Sequence, residues 1–217
     1  MNYMNVIEHK FLNSKFFFPF WEIETLVLGT FNPCCGEETD YYYGRCQNNF
    51  WKTIEEIKEL DYRWFQNNFD RKYEIMQTHK FGCVDIIKSI EITDEIKRKD
   101  ICGSGYSDQI LFNSKNCMLE YNFEKIEFFI KNNNNLKKVI NTWGKRNKPK
   151  LFNQHISFLK NLCENNNIKF ISDCPSPSGR LKGIDHKQKL LDFYKIHIFN
   201  NMNYNLKYNR VNIINLK

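Results

Sequence analysis

Short apolar runs alternate with longer segments of helical spacing along the chain. Buried strands are predicted for the apolar, β-branched runs 25–31, 136–142 and 168–171. The run 81–87 is also apolar, but its periodicity leaves open whether it is a strand or the start of a helix. Helices are predicted where apolar residues recur at helical spacing: 48–60, about 70–79, 123–130, 151–165 and 185–199.

This alternation predicts an α/β protein in which crossover helices cover both faces of a parallel sheet. We expect one domain over residues 1–200 and a polar tail over 201–217, in which 211–216 could add an edge strand. Residues 91–122 are polar and irregular, and no regular element is predicted there. Ligands of such sheets bind beyond the carboxyl ends of the strands, so the loops at those ends are the candidate site.

The composition is that of a folded protein whose charge favours an acidic partner. Hydrophobic residues make up 41% of the chain, and 32 Lys and Arg against 25 Asp and Glu give a formal net charge of +7. A positive surface raises the local concentration of a polyanion. Most of the basic residues are scattered, but 144–150 and 180–182 are candidate basic patches.

The cysteines and the N-terminus argue for a protein of the cytoplasm. The eight cysteines form no CxxC pair and have no zinc-finger spacing to histidine, so reduced thiols and no metal site are expected. The aromatic run 16–20 is interrupted by Pro19, which fits neither a signal peptide nor a membrane span. We expect a cytoplasmic monomer without a membrane partner.

Two loops at predicted strand ends carry distinctive chemistry. The first, the Asn–Pro loop (32–51), begins with Asn32, a neutral carboxamide that can hold a water molecule through one donor and one acceptor. Tyrosines at 41–43 precede Asn48 and together offer a stacking surface beside a group that can read a base edge. The second, the Pro–Ser loop (172–183), is a stiff turn whose hydroxyls and amides can face a phosphate, with Arg180 or Leu181 at its tip.

Ordinary structural roles remain open for the same residues. Asn48 is well placed to cap the following helix, and both roles could hold at once. The tyrosines could be packing residues, and Phe50 with Trp51 is expected in the core. The Pro–Ser sequence also marks plain loops, and His186 is expected at the surface. Two carboxylates, Asp85 and Asp108, could serve an unrelated hydrolase, although their spacing indicates no partner.

The ordered motifs resemble the uracil-DNA glycosylase superfamily, nearest its mismatch-specific and hypoxanthine-DNA glycosylase-like branches. These motifs are Gly29-Thr-Phe-Asn32-Pro33, the tyrosine-rich stretch before Gly44, Asn48-Asn-Phe-Trp-Lys52, Gly82-Cys-Val-Asp85 and Pro175-Ser-Pro-Ser-Gly179. The resemblance implies a three-layer α/β/α sandwich with a short, mainly parallel, four-stranded central sheet. It also implies that Asn32 positions the hydrolytic water, that Tyr43 stacks on the base, and that Asn48 lies beside the pocket.

The resemblance assigns further residues to substrate and DNA. Thr30, Phe31 and Asn49 would contact the substrate. The residues that contact DNA would be Ser176, Ser178, Gly179, Arg180 and Lys182, with Arg180 in the wedge position. The implied activity is hydrolysis of the N-glycosidic bond of a flipped-out uracil, hypoxanthine or similar base in DNA, with no metal and no organic cofactor. The alternatives are a catalytically silent relative that binds nucleic acid and a hydrolase of free nucleosides or nucleotides.

Overall fold

The computed structural model describes residues 5–92, 95–103, 106–108, 110–111, 117–143, 150–178 and 183–200. The strands are β1 Asn5–Glu8, β2 Thr25–Gly29, β3 Phe81–Asp85, β4 Ile87–Ile92, β5 Cys117–Tyr121, β6 Lys138–Asn141 and β7 Lys169–Ile171. The helices are α1 Phe50–Ile57, α2 Phe69–Thr78, α3 Glu95–Cys102, α4 Phe123–Asn132, α5 Lys150–Asn165 and α6 Ile184–His197.

The centre of the fold is a four-stranded sheet in the order β3-β2-β6-β7, and all its neighbouring strands are parallel. Every residue of β2 and β3 is buried, as expected for strands that are covered on both faces. The predicted α/β class with a mainly parallel four-stranded sheet is confirmed, and the arrangement is compatible with three α/β/α layers. The open question at 81–87 is settled in favour of a strand.

Helix α1 positions the Asn–Pro loop against the last helix. Its buried apolar face carries Phe50, Trp51 and Ile54, and the Phe50 ring lies 5.2 Å from the ring of Tyr194 in α6. The predicted core roles of Phe50 and Trp51 are therefore confirmed. This packing holds the start of α1 against the last turn of α6, the helix that follows the Pro–Ser loop.

The chain also forms a second sheet that the sequence did not predict. Strands β1, β4 and β5 form an antiparallel sheet in the order β1-β4-β5. Strand β4 follows β3 after a single residue, Ile86, so the chain passes from one sheet into the other without a loop. The prediction of irregular structure over 91–122 is wrong for the end of β4, for α3 and for β5.

Several predictions lie outside the described residues. These are the possible edge strand at 211–216 and most of the two candidate basic patches, at 144–149 and 180–182. Within the part of the chain that the structure describes, no helix has the length and hydropathy needed to cross a membrane.

Two histidines at the end of the fold away from the strand carboxyl ends predict acid sensitivity. Burial, helped by Lys58, lowers the pKa of His79 to about 4. Burial, helped by Lys138 and Lys169, lowers the pKa of His197 to about 4. An unfolded histidine titrates near 6.5. Between these values the unfolded chain binds more protons, so the free energy of unfolding falls as the pH is lowered.

We expect a loss of about 1 kcal/mol for each histidine between pH 7 and pH 5, after allowance for solvent screening of these half-buried rings. Urea unfolding at the two pH values measures it. The double variant His79→Gln/His197→Gln should show a smaller difference between the two pH values. A difference as large as that of the wild type would contradict this origin of the acid sensitivity.

Candidate active site

Asn32 lies in a loop that is held by the N-terminal segment. The Lys10 amide donates to the Asn32 carbonyl at 2.7 Å, and His9 pairs with Pro33 in an isolated antiparallel bridge. Asn32 is only 6% exposed, and its Nδ2 donates to Thr39 Oγ1 at 3.5 Å. Asn32 is therefore an anchored carboxamide just beyond the carboxyl end of β2.

Tyr43 lies over the end of β2 with its phenol anchored. Its ring stacks on Phe50, with centroids 4.5 Å apart and planes at 15°. Its Oη lies 3.1 Å from Thr142 Oγ1. Because the Thr142 hydroxyl donates to the Leu28 carbonyl at 2.9 Å, the Tyr43 phenol is the donor in that contact. Burial raises the pKa of Tyr43 well above its usual value, so the phenol stays protonated. One ring face is thus occupied by Phe50.

The Asn–Pro loop and the Pro–Ser loop meet directly. Asn48 pairs with Ser178 in an isolated antiparallel bridge, and the Asn49 amide donates to the Pro177 carbonyl at 2.8 Å. Asn48 Oδ1 accepts from the Phe50 amide at 2.8 Å, while the N-cap position of α1 is Asn49. Asn48 therefore accepts a hydrogen bond from the first turn of α1, as predicted, but from one position before the N-cap. This hydrogen bond uses the oxygen of its carboxamide.

The Pro–Ser loop is held from within and from α6. The Ser178 amide donates to Ser176 Oγ at 3.3 Å, and His186 Nε2 lies 2.9 Å from the Ser176 carbonyl. Since a carbonyl can only accept, the imidazole donates this hydrogen bond. His186 is thus half-buried and hydrogen-bonded. The sequence had suggested a surface residue instead. Three predicted DNA-binding residues lie outside the described residues: Gly179, Arg180 and Lys182.

His9 and Asp85 form a buried pair at the carboxyl end of β3. His9 Nε2 lies 2.9 Å from Asp85 Oδ2, and the Phe11 amide donates to His9 Nδ1 at 3.1 Å. Because Nδ1 accepts this bond it carries no proton, so Nε2 carries the proton and donates to Asp85. The other oxygen of Asp85 lies against Gly29, where any side chain would overlap it. Asp85 is therefore held from two sides.

Asp108 approaches the same region from the segment after α3. The Thr30 hydroxyl and the Tyr106 phenol are its hydrogen-bond partners. The Arg45 guanidinium lies over the Tyr106 ring, 4.5 Å from its centroid. Burial is the main cause that raises the pKa of Asp108, and the charge of Asp85 adds to it. The two hydrogen bonds and the charge of Arg45 act in the opposite direction without cancelling the rise.

The cysteines differ from expectation at one pair. Cys35 and Cys102 form a disulfide, with Cα atoms 5.0 Å apart, so the prediction of reduced thiols is wrong for these two residues. The bond ties the Asn–Pro loop to the end of α3, from which the chain leads on to Asp108. Among the described residues, no group of three or more His, Cys, Asp or Glu side chains is placed to hold a metal ion.

Comparison with protein-family models, with curated proteins and with solved structures finds no match to this chain.

The predicted site residues fall into separate positions around the carboxyl edge. Asn48 and Asn49 meet the Pro–Ser loop, whereas the described hydrogen bonds of Asn32 go to the N-terminal segment and to Thr39. Phe31 is buried and packs on His9, with the two ring centroids 5.8 Å apart. Thr30 faces Asp108. The structure therefore joins the two loops through the asparagines at 48 and 49.

Sequence reasoning did not predict the residues that surround Asp85 and Asp108. Asp85 was named in the motif Gly82-Cys-Val-Asp85, and Asp85 and Asp108 were considered as carboxylates of an unrelated hydrolase without partners; the structure supplies partners for both. A signal for Asp85 was present, because an acidic residue that ends a fully buried strand points to a role at that edge. No local pattern singles out His9, Arg45 or Tyr106.

Proposed function

We propose that this chain is a DNA glycosylase of uracil-DNA glycosylase-like fold, which hydrolyses the N-glycosidic bond of a flipped-out deaminated or mismatched base. The observation that carries the proposal is the junction of the two motif loops, in which Asn48 bridges to Ser178 and the Asn49 amide bonds Pro177. This junction makes one continuous wall at the carboxyl ends of parallel strands, where open α/β sheets bind their ligands.

The wall has features that suit DNA. The formal net charge of +7 favours a polyanion, and the half-buried Ser176 and Ser178 belong to a loop that can offer hydroxyls and amides to phosphate oxygens. Turning one nucleotide out of the stack costs a few kcal/mol. Stacking of its base on the Tyr43 ring would return roughly 1–3 kcal/mol of that cost.

The chemical step follows from the fixed carboxamide and the buried polar groups. Asn32 directs a water molecule at the anomeric carbon while the bond to the base breaks through an oxocarbenium-like sugar. The departing base gains negative charge, and hydrogen bonds that strengthen with that charge lower the barrier. Neither a metal nor an organic cofactor enters this scheme.

The test measures release of free base from duplexes that contain uracil, hypoxanthine or thymine opposite guanine. We expect release by the wild type and a loss of about 100-fold in Asn32→Ala, the size seen when one positioned polar group is removed from an active site. Asn48→Ala should lose activity and also about 1 kcal/mol of stability, because the Phe50 amide loses its acceptor. Asn153→Ala, on the exposed face of α5, is the matched control.

Three other results would each change the functional assignment. Equal release by all four proteins would remove both asparagines from the mechanism. Salt-dependent DNA binding without release of any base would instead identify a silent relative. Cleavage of free nucleosides in preference to oligonucleotides would identify a nucleoside hydrolase.

A further inference from the structure

The disulfide between Cys35 and Cys102 joins the Asn–Pro loop to the segment that follows β4. Cys35 lies shortly after Asn32, and Cys102 is the last residue of α3, 67 positions further along the chain. Beyond α3, the guanidinium of Arg45 in the same loop lies 4.5 Å from the centroid of the Tyr106 ring. The covalent bond therefore reinforces a contact between this segment and the loop that carries Asn32.

Helix α3 depends on the contacts of its last turn. It has eight residues, and a helix of this length is marginal in water without tertiary contacts. Among the side chains that the structure describes in this helix, Ile101 is buried, whereas Lys99 and Asp100 are exposed. The burial of Ile101 and the covalent bond at Cys102 therefore hold the end of the helix in place.

The disulfide lies within reach of a thiol reagent in the folded chain. Cys35 and Cys102 are both half-buried, so their sulfur atoms are not enclosed by the core. By contrast, Cys83, Cys163 and Cys174 are buried, and burial raises the pKa of each of these thiols. Because thiol–disulfide exchange requires a thiolate and access to a sulfur atom, it is favoured at the disulfide and not at the three buried cysteines.

Two free thiols in the same loop favour a reversible bond over a permanent one. Cys34, directly beside the disulfide, and Cys46 are both exposed, and neither forms a disulfide. Exposed thiols persist in a reducing environment, where the disulfides that do occur are usually transient and redox-sensing. The same loop thus combines exposed thiols with an accessible disulfide, which suits a bond that opens and closes with the redox state.

We infer that the Cys35–Cys102 disulfide is a reversible redox latch, which a dithiol reductant opens to release α3 and the segment after it from the Asn–Pro loop. In the exchange, one thiolate of the reductant attacks a sulfur atom of the disulfide, and the other cysteine leaves as a thiolate and takes up a proton. The second thiol of the reductant, as its thiolate, then displaces the remaining cysteine, which also takes up a proton. Two electrons pass to the two cysteines, and the reductant becomes a cyclic disulfide.

This inference goes beyond the proposed function, and its test needs no DNA. The wild-type chain is oxidised with oxidised dithiothreitol and then treated with reduced dithiothreitol, and alkylation with mass spectrometry follows Cys35 and Cys102. We expect both cysteines to become modified together, at a rate in native buffer within about 10-fold of the rate in urea, because the disulfide is accessible in the folded chain. A larger difference would show that the bond opens only on unfolding, and either this result or failure to form the bond would overturn the latch.

Hydrogen exchange measures what the latch holds in place. Reduction should speed amide exchange in α3 by about 10-fold or more and leave exchange in β2 and β6 unchanged, because the buried central strands have their own packing. Cys102→Ser should show the same pattern without reductant, whereas Cys34→Ser, beside the disulfide, should behave as the wild type. The reduced wild type provides the comparison even if Cys102→Ser fails to fold.

Two results of the exchange experiment would overturn the latch. Equal exchange in α3 before and after reduction would show that the bond does not hold this helix. Faster exchange throughout the central sheet after reduction would instead identify a structural disulfide on which the whole fold depends.

Discussion

Replacement of Gly29 by alanine is expected to reduce base release by about 100-fold or more, because it displaces two groups of the site at once. A methyl group at this position would overlap Oδ1 of Asp85 and lie 2.9 Å from Oη of Tyr43. Neither neighbour has room to yield, since Asp85 is held by His9 and Tyr43 by Thr142. A displacement of about 1 Å in an active site can cost 10²-fold in rate.

Gly82→Ala provides a control with a similar steric problem at the other end of the sheet. A methyl group at Gly82 would overlap the ring of Pro19, and Gly82 lies near the start of β3, whereas Asp85 ends it. Both variants should lose about 1–3 kcal/mol of stability through overpacking. Only Gly29→Ala should lose activity per folded molecule. Comparable activity in the two variants would show that the neighbours of Gly29 are not part of the site.

Removal of the Lys72 charge is expected to destabilise the fold by about 3–5 kcal/mol. The Lys72 side chain is 2% exposed and forms an ion pair with Asp40, which directly precedes the tyrosines of the Asn–Pro loop. Lys72 Nζ also lies 5.7 Å from the ring centroid of Trp51. In Lys72→Met the Asp40 carboxylate keeps its place but loses its counter-charge. The unpaired carboxylate then accounts for most of the lost stability.

A double-mutant cycle measured by urea unfolding isolates this pair. Asp40→Asn in the Lys72→Met background should recover most of the lost stability, because no unpaired charge remains. The matched surface pair is Lys187 with Glu56, whose side chains are exposed and whose charged atoms lie 2.8 Å apart. Lys187→Met should therefore cost less than about 1 kcal/mol of stability. Equal losses in the buried and exposed variants would show that burial does not determine the cost.

Local patterns were sufficient to predict the central sheet and its helices. Strands such as β2 are short apolar runs that end at a proline or a polar turn, and α1 and α5 carry apolar residues at helical spacing. Both properties can be recognised within a window of a few residues. The ends of these strands also located the two loops that the structure joins through Asn48 and Ser178.

The second sheet could not be predicted from the same patterns. Strands β3 and β4 are separated only by Ile86, which is itself apolar, and hydrophobicity does not record that the chain changes sheet there. Strand β5 exposes Met118, so its alternation does not separate apolar from polar residues cleanly. Its assignment depends on pairing with β4, which is a tertiary property.

The contacts around the two carboxylates could not be predicted from the sequence for a related reason. His9 and Asp85 are 76 residues apart, and the disulfide of Cys35 with Cys102 spans 67 residues. No periodicity or motif links residues at such separations, because the contacts depend on how β1 and the Asn–Pro loop pack against the end of β3. Sequence reasoning located the loops correctly but could not determine which polar side chains would face each other between them.

The most direct measurement of the central claim is product analysis after incubation of the wild-type chain with duplexes that carry a single uracil, hypoxanthine or mismatched thymine. Mass spectrometry should detect the free base together with a strand whose backbone is intact and whose sugar at that position has lost its base. Intact strands from all three duplexes, under salt conditions in which the chain binds them, would contradict the account.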